Sequence, residues 1–386
     1  MIIMKKKILF INNSLYGGGA EKILQTLLNN LDYNRYEITL YSLFKENIST
    51  NYPLNIHYKY IYHQFKTDDS FLYKLSVRLR NIFISFIYKY LSPKVFYYLF
   101  IRGKYDTEIA FIEGYATRII SGSTNKKSTK IAWVHIDLKE NHWTSIAYKN
   151  YQEEVNCYQK FNHIICVSNS VLKSFKELFP STNTAKVKYN PINDTEIRLL
   201  AAQKIEHTQK SENKIRLISI GRLVSQKGYD RLFSIIYQLK KEGYNLSINI
   251  LGDGPDKELL ENYVKDKKLN ETINLMGFCN NPYPYLKNAD LFVCSSRSEG
   301  YSTVITEALI LGTPIITTNC AGMNELLGNG EYGLITENNE NSLYKGLKFL
   351  LDNPHIIKRY KIKATERGNN FRLKHLINEI DILLSE

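Results

Sequence analysis

Two glutamates and the stretch between them hold the densest chemistry in this chain. In Ser296-Arg297-Ser298-Glu299-Gly300-Tyr301-Ser302-Thr303-Val304-Ile305-Thr306-Glu307, Glu299 falls in a loop, Ser302 or Thr303 can cap a helix, and Glu307 falls inside that helix. The run 290–294 just before reads as a short buried strand. An open helix N-terminus presents unpaired N–H groups and the positive end of a dipole, which suit a phosphate. Carboxylates instead accept protons from hydroxyl groups. Glu307 lies about 6 Å beyond Thr303 along a helix rising ~1.5 Å per residue. Carboxylate, helix start and carboxylate thus match hydroxyls, diphosphate and hydroxyls, the order of groups in a nucleotide-sugar. Taken alone, the stretch is equally an ordinary strand, loop and helix with two surface glutamates.

Neighbouring motifs narrow that choice. Gly221-Arg222-Leu223-Val224-Ser225-Gln226-Lys227-Gly228 follows the apolar run 215–220, Gly252-Asp253-Gly254-Pro255 follows 247–251, and Gly312-Thr313-Pro314 precedes 315–317. In this order and spacing the set resembles the retaining glycosyltransferases of family 4, which have the GT-B architecture, over essentially the C-terminal half. The resemblance implies an α/β protein with two doubly wound parallel-sheet (Rossmann-like) domains facing across a cleft, and a C-terminal helix crossing back to the N-domain. It also implies transfer of a sugar from a nucleotide donor to an acceptor hydroxyl. Arg222, a forked donor array, and Lys227, a point charge, would stabilise the leaving diphosphate. Glu299 would orient the sugar and Glu307 the ribose. Gly221, Gly254, Phe278, Gly300, Tyr301, Ser302 and Thr303 would complete the donor site.

No carboxylate pair of the glycosidase kind is evident. The family's route is a front-face attack with retention, the donor phosphate helping to take the acceptor proton. Enzymes of this architecture generally need no divalent metal, and the chain lacks an Asp-x-Asp pair, so neither metal nor cofactor is expected. Two departures leave the donor open: Tyr301-Ser302 stands where Phe-Gly or Phe-Pro is frequent, and Asn190-Pro191-Ile192-Asn193 where Asn-Gly-Val-Asp is frequent. The leaning is to a uridine-diphosphate hexose or N-acetylhexosamine over GDP-mannose.

In the N-terminal half, Gly17-Gly18-Gly19-Ala20-Glu21 joins a first strand to a first helix but lacks the third spaced glycine of a GxGxxG fingerprint. Glycines allow close backbone approach, and the helix start would favour a diphosphate or polar sugar. In family 4 this loop lines the donor–acceptor cleft, so Gly18 and Gly19 join the candidate donor site. His135 ends the apolar strand that contains Ala132-Trp133-Val134, at the strand edge where ligands bind in such sheets. It resembles the family's cleft histidine, which contacts the donor sugar. His142 is the alternative.

At 386 residues the chain is long enough for two cores. Strands are expected at 6–12, 37–42, 107–111, 130–135, 163–168 and 187–190, and helices at 20–30, 70–102, 148–160 and 170–178. The expected organisation is an N-terminal acceptor-binding domain over 1–199, a linker over 200–213, a nucleotide-sugar-binding domain over 214–353, and crossing helices over 354–386. The lysine-led start, 1–11, has too short an apolar run and no cleavage site for a signal peptide and reads as the first strand. No apolar run approaches the ~18 residues that span a bilayer. The five cysteines are odd in number and scattered, so they read as reduced thiols of a cytoplasmic protein.

The net charge of +13 sits unevenly: the first 194 residues hold 26 Lys and Arg against 15 Asp and Glu, the remainder 25 against 23. The excess concentrates in a basic, aromatic helical segment at 59–104, with nine basic residues, two acidic ones and thirteen aromatics. Leu72, Leu75, Leu79, Ile82, Phe83 and Phe86 fall on one broad helical face. Such a helix suits an anionic membrane surface, on the inner face of the cell membrane, and a glycan or lipid-linked acceptor. The plainer reading is a packed hairpin with solvated lysines. Nucleic-acid binding is not expected, since no module signature accompanies the charge. A sugar-nucleotide epimerase, a phosphorylase or a non-catalytic membrane-surface protein are the competing functions.

Overall fold

The computed structural model describes residues 5–15, 18–46, 52–64, 71–182, 184–204 and 214–386. Gly17, residues 205–213 of the expected linker, residues 65–70 of the basic segment and residues 1–4 lie outside them. The chain divides into two compact units, residues 1–191 with 374–386, and residues 192–373.

The first unit runs β1 (Lys6–Asn12), α1 (Gly19–Asn30), β2 (Tyr36–Phe44), β3 (His57–Tyr62), α2 (Phe71–Tyr90), α3 (Pro93–Phe100), β4 (Thr107–Ala110), α4 (Tyr115–Ile120), β5 (Thr129–Val134), α5 (Tyr151–Tyr158), β6 (His163–Cys166), α6 (Asn169–Leu178) and β7 (Ala185–Val187). The strands form one sheet in the order β3-β2-β1-β4-β5-β6-β7, with every pair parallel. Central strands read as unbroken apolar runs such as Ile8-Leu9-Phe10-Ile11, fully buried, because helices cover both faces of a parallel sheet.

The second unit opens with α7 (Asp194–Leu200) and continues β8 (Ile215–Ile220), α8 (Tyr229–Lys241), β9 (Leu246–Leu251), α9 (Lys257–Asp266), β10 (Ile273–Gly277), α10 (Tyr283–Asn288), β11 (Leu291–Cys294), α11 (Thr303–Leu311), β12 (Ile315–Thr318), α12 (Met323–Leu326), β13 (Leu334–Thr336), α13 (Glu340–Asp352) and α14 (Pro354–Gly368). Its sheet is again all parallel, in the order β10-β9-β8-β11-β12-β13. Helix α11 is apolar on nearly every side, burying Ile305, Ala308, Leu309 and Ile310, since α7, α10 and α14 all pack against it.

The last helix, α15 (Leu373–Ser385), belongs to the first unit from Lys374 onward. It buries Ile380, Leu383 and Leu384, accepts the Lys6 ammonium on the Leu384 carbonyl at 2.7 Å, and pairs Glu379 with Lys188 at 2.9 Å.

Three sequence expectations need correction. The division between units falls at Pro191/Ile192, upstream of 199, because α7 packs on α10 and α11 of the second unit. The segment 59–104 is not helical throughout: it opens in β3, where His57-Tyr58-Lys59-Tyr60-Ile61-Tyr62 alternates along the sheet edge with Ile61 buried. The expected helix 70–102 is two helices, broken where Pro93, lacking an N–H, starts a new one.

Helix α2 is apolar on two sides. Val77, Ile84, Ile87 and Tyr88 face inward, and Asn81 pins the helix to the end of β3 through both backbone groups of His63. Buried Arg118 holds its C-terminus, stacking on Tyr88, donating to the Tyr88 and Leu91 carbonyls and pairing with Glu153 at 2.9 Å. The broad apolar face therefore looks outward: Leu79 is 59%, Phe83 61% and Phe86 56% exposed. Described residues 71–102 carry six basic and no acidic side chains. No helix among the described residues is long and apolar enough to cross a membrane.

Candidate functional site

In each sheet the strand order reverses at one place, between β1 and β4 in the first unit and between β8 and β11 in the second. Such a reversal leaves a crevice beyond the carboxyl ends of the two strands, where open α/β sheets bind ligands.

At the second unit's crevice, the loop after β8 carries Arg222 and Lys227 and the loop after β11 carries Glu299. Lys227 Nζ donates to Glu299 Oε1 at 2.6 Å, and Ser296 Oγ donates to the same oxygen at 2.6 Å. Burial alone would lower the Lys227 ammonium, but the adjacent Glu299 carboxylate outweighs it and holds the group above its usual range. The two loops are laced together elsewhere too. Gln226 Nε2 donates to the Ser298 carbonyl at 2.8 Å, Arg297 N to the Gln226 carbonyl at 2.7 Å, and Ser295 Oγ to the Lys227 carbonyl at 2.9 Å. Arg297 reaches the Ser225 carbonyl and forks onto Asp230 at 2.6 and 2.8 Å, and this guanidinium holds the Asp230 carboxyl below its usual range.

Glycines permit this closeness. Gly228 is left-handed (φ 65°), and a Cβ there would lie 2.2 Å from the Ser295 carbonyl oxygen. A Cβ on Gly254 would lie 2.3 Å from the Leu223 carbonyl, so the Gly252–Pro255 turn props the Arg222–Lys227 loop from beneath. Gly221 lies on the same loop beside the Tyr229 hydroxyl.

Of the two cap candidates, Ser302 is the cap, its hydroxyl accepting the Ile305 N–H, and α11 starts at Thr303. Glu307 is buried, with the Tyr283 hydroxyl 3.4 Å from its Oε1. Gly300 and Tyr301 are buried in the turn between Glu299 and α11. Arg222 is exposed and makes no ion pair among the described residues. Phe278, just past β10, is largely exposed. The structure thus brings Lys227 and Glu299 into contact and sets Ser302, Thr303 and Glu307 on the next helix.

At the first unit's crevice, Gly18 precedes α1, with the Glu21 carboxylate folded back so that a Cβ on Gly18 would lie 2.3 Å from its Oε2. An acid at a helix start uses the positive end of the dipole. His135 leaves β5 with Nε2 donating to the Phe111 carbonyl at 2.8 Å, which fixes the proton on Nε2 and leaves Nδ1 as an acceptor. Burial lowers its pKa to about 4, so the ring is neutral near pH 7. The alternative, His142, is engaged with buried Glu154 at 2.8 Å.

Sequence reasoning missed Glu113, which follows β4. Its carboxylate is buried and accepts the His135 backbone N–H at 3.0 Å and the Trp143 indole, and burial pushes its pKa up to about 7. A lone carboxylate after a strand carries no pattern to announce this. Ser298 Oγ, buried beside Glu299 and without a hydrogen-bond partner among the described residues, was missed for the same reason. No cluster of three or more His, Cys, Asp or Glu side chains suited to a metal occurs among the described residues.

Two doubly wound parallel sheets with loops of this kind define the GT-B class, and comparison with known proteins agrees. The family model for glycosyl transferases group 1 matches residues 202–367. A Campylobacter jejuni protein, the N-acetylgalactosamine-N,N'-diacetylbacillosaminyl-diphospho-undecaprenol 4-alpha-N-acetylgalactosaminyltransferase, is 30% identical over 377 residues, covering 95% of this chain and 96% of its own. The chain belongs to the group 1 glycosyltransferases. Among solved structures, Anabaena HepE with UDP and glucose superposes with a TM-score of 0.73 at 18% identity, covering 99% of this chain and all of HepE. Sucrose-phosphate synthase of Thermosynechococcus elongatus also gives 0.73, at 14% identity and 98% coverage of both chains.

Proposed function

We propose that this glycosyltransferase moves a hexose or N-acetylhexosamine, with retention, from a UDP-linked donor to a hydroxyl of a lipid-linked or surface-polysaccharide precursor. The observation that carries the reading is the Lys227–Glu299–Ser296 contact on two interlaced loops at the second unit's switch point. There Lys227, with Arg222 nearby in sequence, meets the charge that grows on the departing diphosphate, and α11's open N-terminus adds its dipole. Glu299 and Ser298 Oγ receive sugar hydroxyls, Glu307 the ribose, and Phe278 offers a face on which a base can stack. In the first unit, Gly18, Gly19 and neutral His135 offer acceptor groups to hydroxyls. UDP as the nucleotide is supported by HepE, solved with UDP and glucose, and the acceptor class by the undecaprenol-linked substrate in the Campylobacter enzyme's name.

The outward apolar face of α2 supports a peripheral position on an anionic bilayer. Leu79, Phe83 and Phe86 lie beside Arg78, Arg80 and Lys89, the mixture that interfacial helices use. The test of the chemistry is release of nucleoside diphosphate from a panel of nucleotide-sugars, followed by transfer to a polyprenyl-diphosphate sugar acceptor. Release from no UDP-sugar would sink the donor reading. Flotation with anionic vesicles at low and high salt tests the membrane reading separately, and protein that dimerises in place of floating would refute it.

A further inference from the structure

One buried cation beneath the Lys227–Glu299 loops, Arg231, has no carboxylate partner among the described residues. Arg231, on the first turn of α8, is only 6% exposed. Its Nε and Nη2 donate to the Ser295 carbonyl at 2.8 and 2.6 Å, and Nη2 also reaches the Ser296 carbonyl at 2.6 Å and Asn338 Oδ1 at 2.9 Å. All these acceptors are neutral. Lys227 is matched with Glu299 and Arg297 with Asp230, so beside exposed Arg222 the laced loops carry a buried surplus positive charge at Arg231.

A guanidinium taken out of water against neutral oxygens is costly and is seldom kept for packing alone. Burial and the adjacent Arg297 both lower its pKa, which marks the unfavourable surroundings in which it is held. The geometry ties it to the site at two points. A Cβ on Gly228, next to Lys227, would lie 2.8 Å from Arg231 Nε, so the Lys-Gly step is shaped around the guanidinium. The two carbonyls it grips belong to Ser295 and Ser296, and Ser296 is the residue whose hydroxyl holds Glu299. Thr318 Oγ1 donates to the same Ser296 carbonyl at 2.6 Å.

We propose that Arg231 is the positioning residue of the diphosphate subsite: it pins the Ser295 and Ser296 carbonyls away from the ligand and supplies the surplus positive charge that an incoming diphosphate neutralises. This rests on the donor reading above. Arg231 touches no ligand in this scheme. It acts through the loop that presents Ser296 and Glu299 and through its field at Lys227, which a low-dielectric surrounding strengthens.

The experiment compares wild type, Arg231→Met and Arg231→Lys in the full chain. UDP binding is measured by calorimetry and uridine binding by ligand-observed NMR, below the melting temperature of each variant. Arg231→Met should weaken UDP at least tenfold while changing uridine less than twofold, because only UDP reaches the diphosphate subsite. Arg231→Lys, which keeps charge but cannot fork, should recover part of the UDP affinity, and it stands as the second variant if the methionine form does not fold. Equal losses of UDP and uridine would mean a merely structural residue and overturn the proposal, as would UDP binding unchanged from wild type. Wild type that binds no UDP would fail the donor reading itself, a result separable from either.

Discussion

Glu113 and His135 sit side by side in the first unit and titrate in opposite senses, which makes their stability contributions unusually separable. Burial raises the Glu113 carboxyl from 4.5 to about 7, so between those pH values the folded state holds a proton that the unfolded chain has lost. Stability falls across that window as pH rises. Burial lowers His135 from 6.5 to about 4, so between 4 and 6.5 it is the unfolded chain that holds the extra proton, and stability climbs as pH rises. Each displacement spans about 2.5 pH units and, at ~1.4 kcal/mol per unit, is worth about 3 kcal/mol. In wild type the two slopes nearly cancel between pH 4.5 and 6.5. His135→Gln should expose the glutamate alone, with stability relative to wild type dropping by about 3 kcal/mol from pH 4 to 6.5. Glu113→Gln should expose the histidine alone, with stability relative to wild type gaining about 3 kcal/mol from pH 4.5 to 7. Both tryptophans, Trp133 and Trp143, lie in the first unit, so intrinsic fluorescence in urea reports on that unit without a contribution from the second. Difference curves that run flat, within about 0.5 kcal/mol of wild type at every pH, would refute the reasoning.

Lys227→Ala should cut transfer by roughly two to three orders of magnitude, about 3–4 kcal/mol, measured as kcat/KM on the best donor of the panel. Glu307→Ala should mainly weaken UDP binding, since ribose contacts change little on the way to the transition state, while Glu299→Ala should mainly lower turnover; calorimetry with UDP beside steady-state kinetics separates the two. Leu79→Glu with Phe83→Glu should abolish flotation with anionic vesicles yet leave the melting temperature within about 2 °C, because both side chains already stand in solvent.

What could be read from the sequence is what local chemistry dictates. Ser302 as a cap, Gly228 beside Lys227 and the Gly252–Pro255 turn each answer a backbone demand met within a few residues, so type and spacing suffice. Glu299 and Lys227 could be singled out because those local devices frame them. Strand β3 could not be read, since an edge strand in which Tyr alternates with His, Lys and Ile needs only one inward side chain, Ile61, and looks polar. The orientation of α2 was hidden for the opposite reason: it is apolar on both sides. Its strongest stripe, Leu72 to Phe86, marked a helix but not which way it faces, and that is decided by Asn81 on His63 and Arg118 on Tyr88, contacts across 18 and 30 residues.

Charge was the least legible property. Asp230-Arg231 looks like an ordinary solvated pair at a helix start, yet the aspartate faces Arg297 in solvent and the arginine is buried under Ser295. Glu113 likewise looks like one more acidic residue until the fold closes over it. In both cases the ionisable group is desolvated by segments distant in sequence, so its energetic effect comes from the tertiary structure. The consequence is an asymmetry between the two crevices that net charge along the chain conceals. The half with the larger basic excess presents Glu21, Glu113 and a neutral His135 at its switch point, while the nearly balanced half presents Lys227, Arg222 and the surplus charge of Arg231. Helices α2 and α3 of the first unit carry five basic side chains and no acidic one. The local charges therefore favour an anion at the second unit's crevice over the first, a preference that net charge along the chain would have reversed.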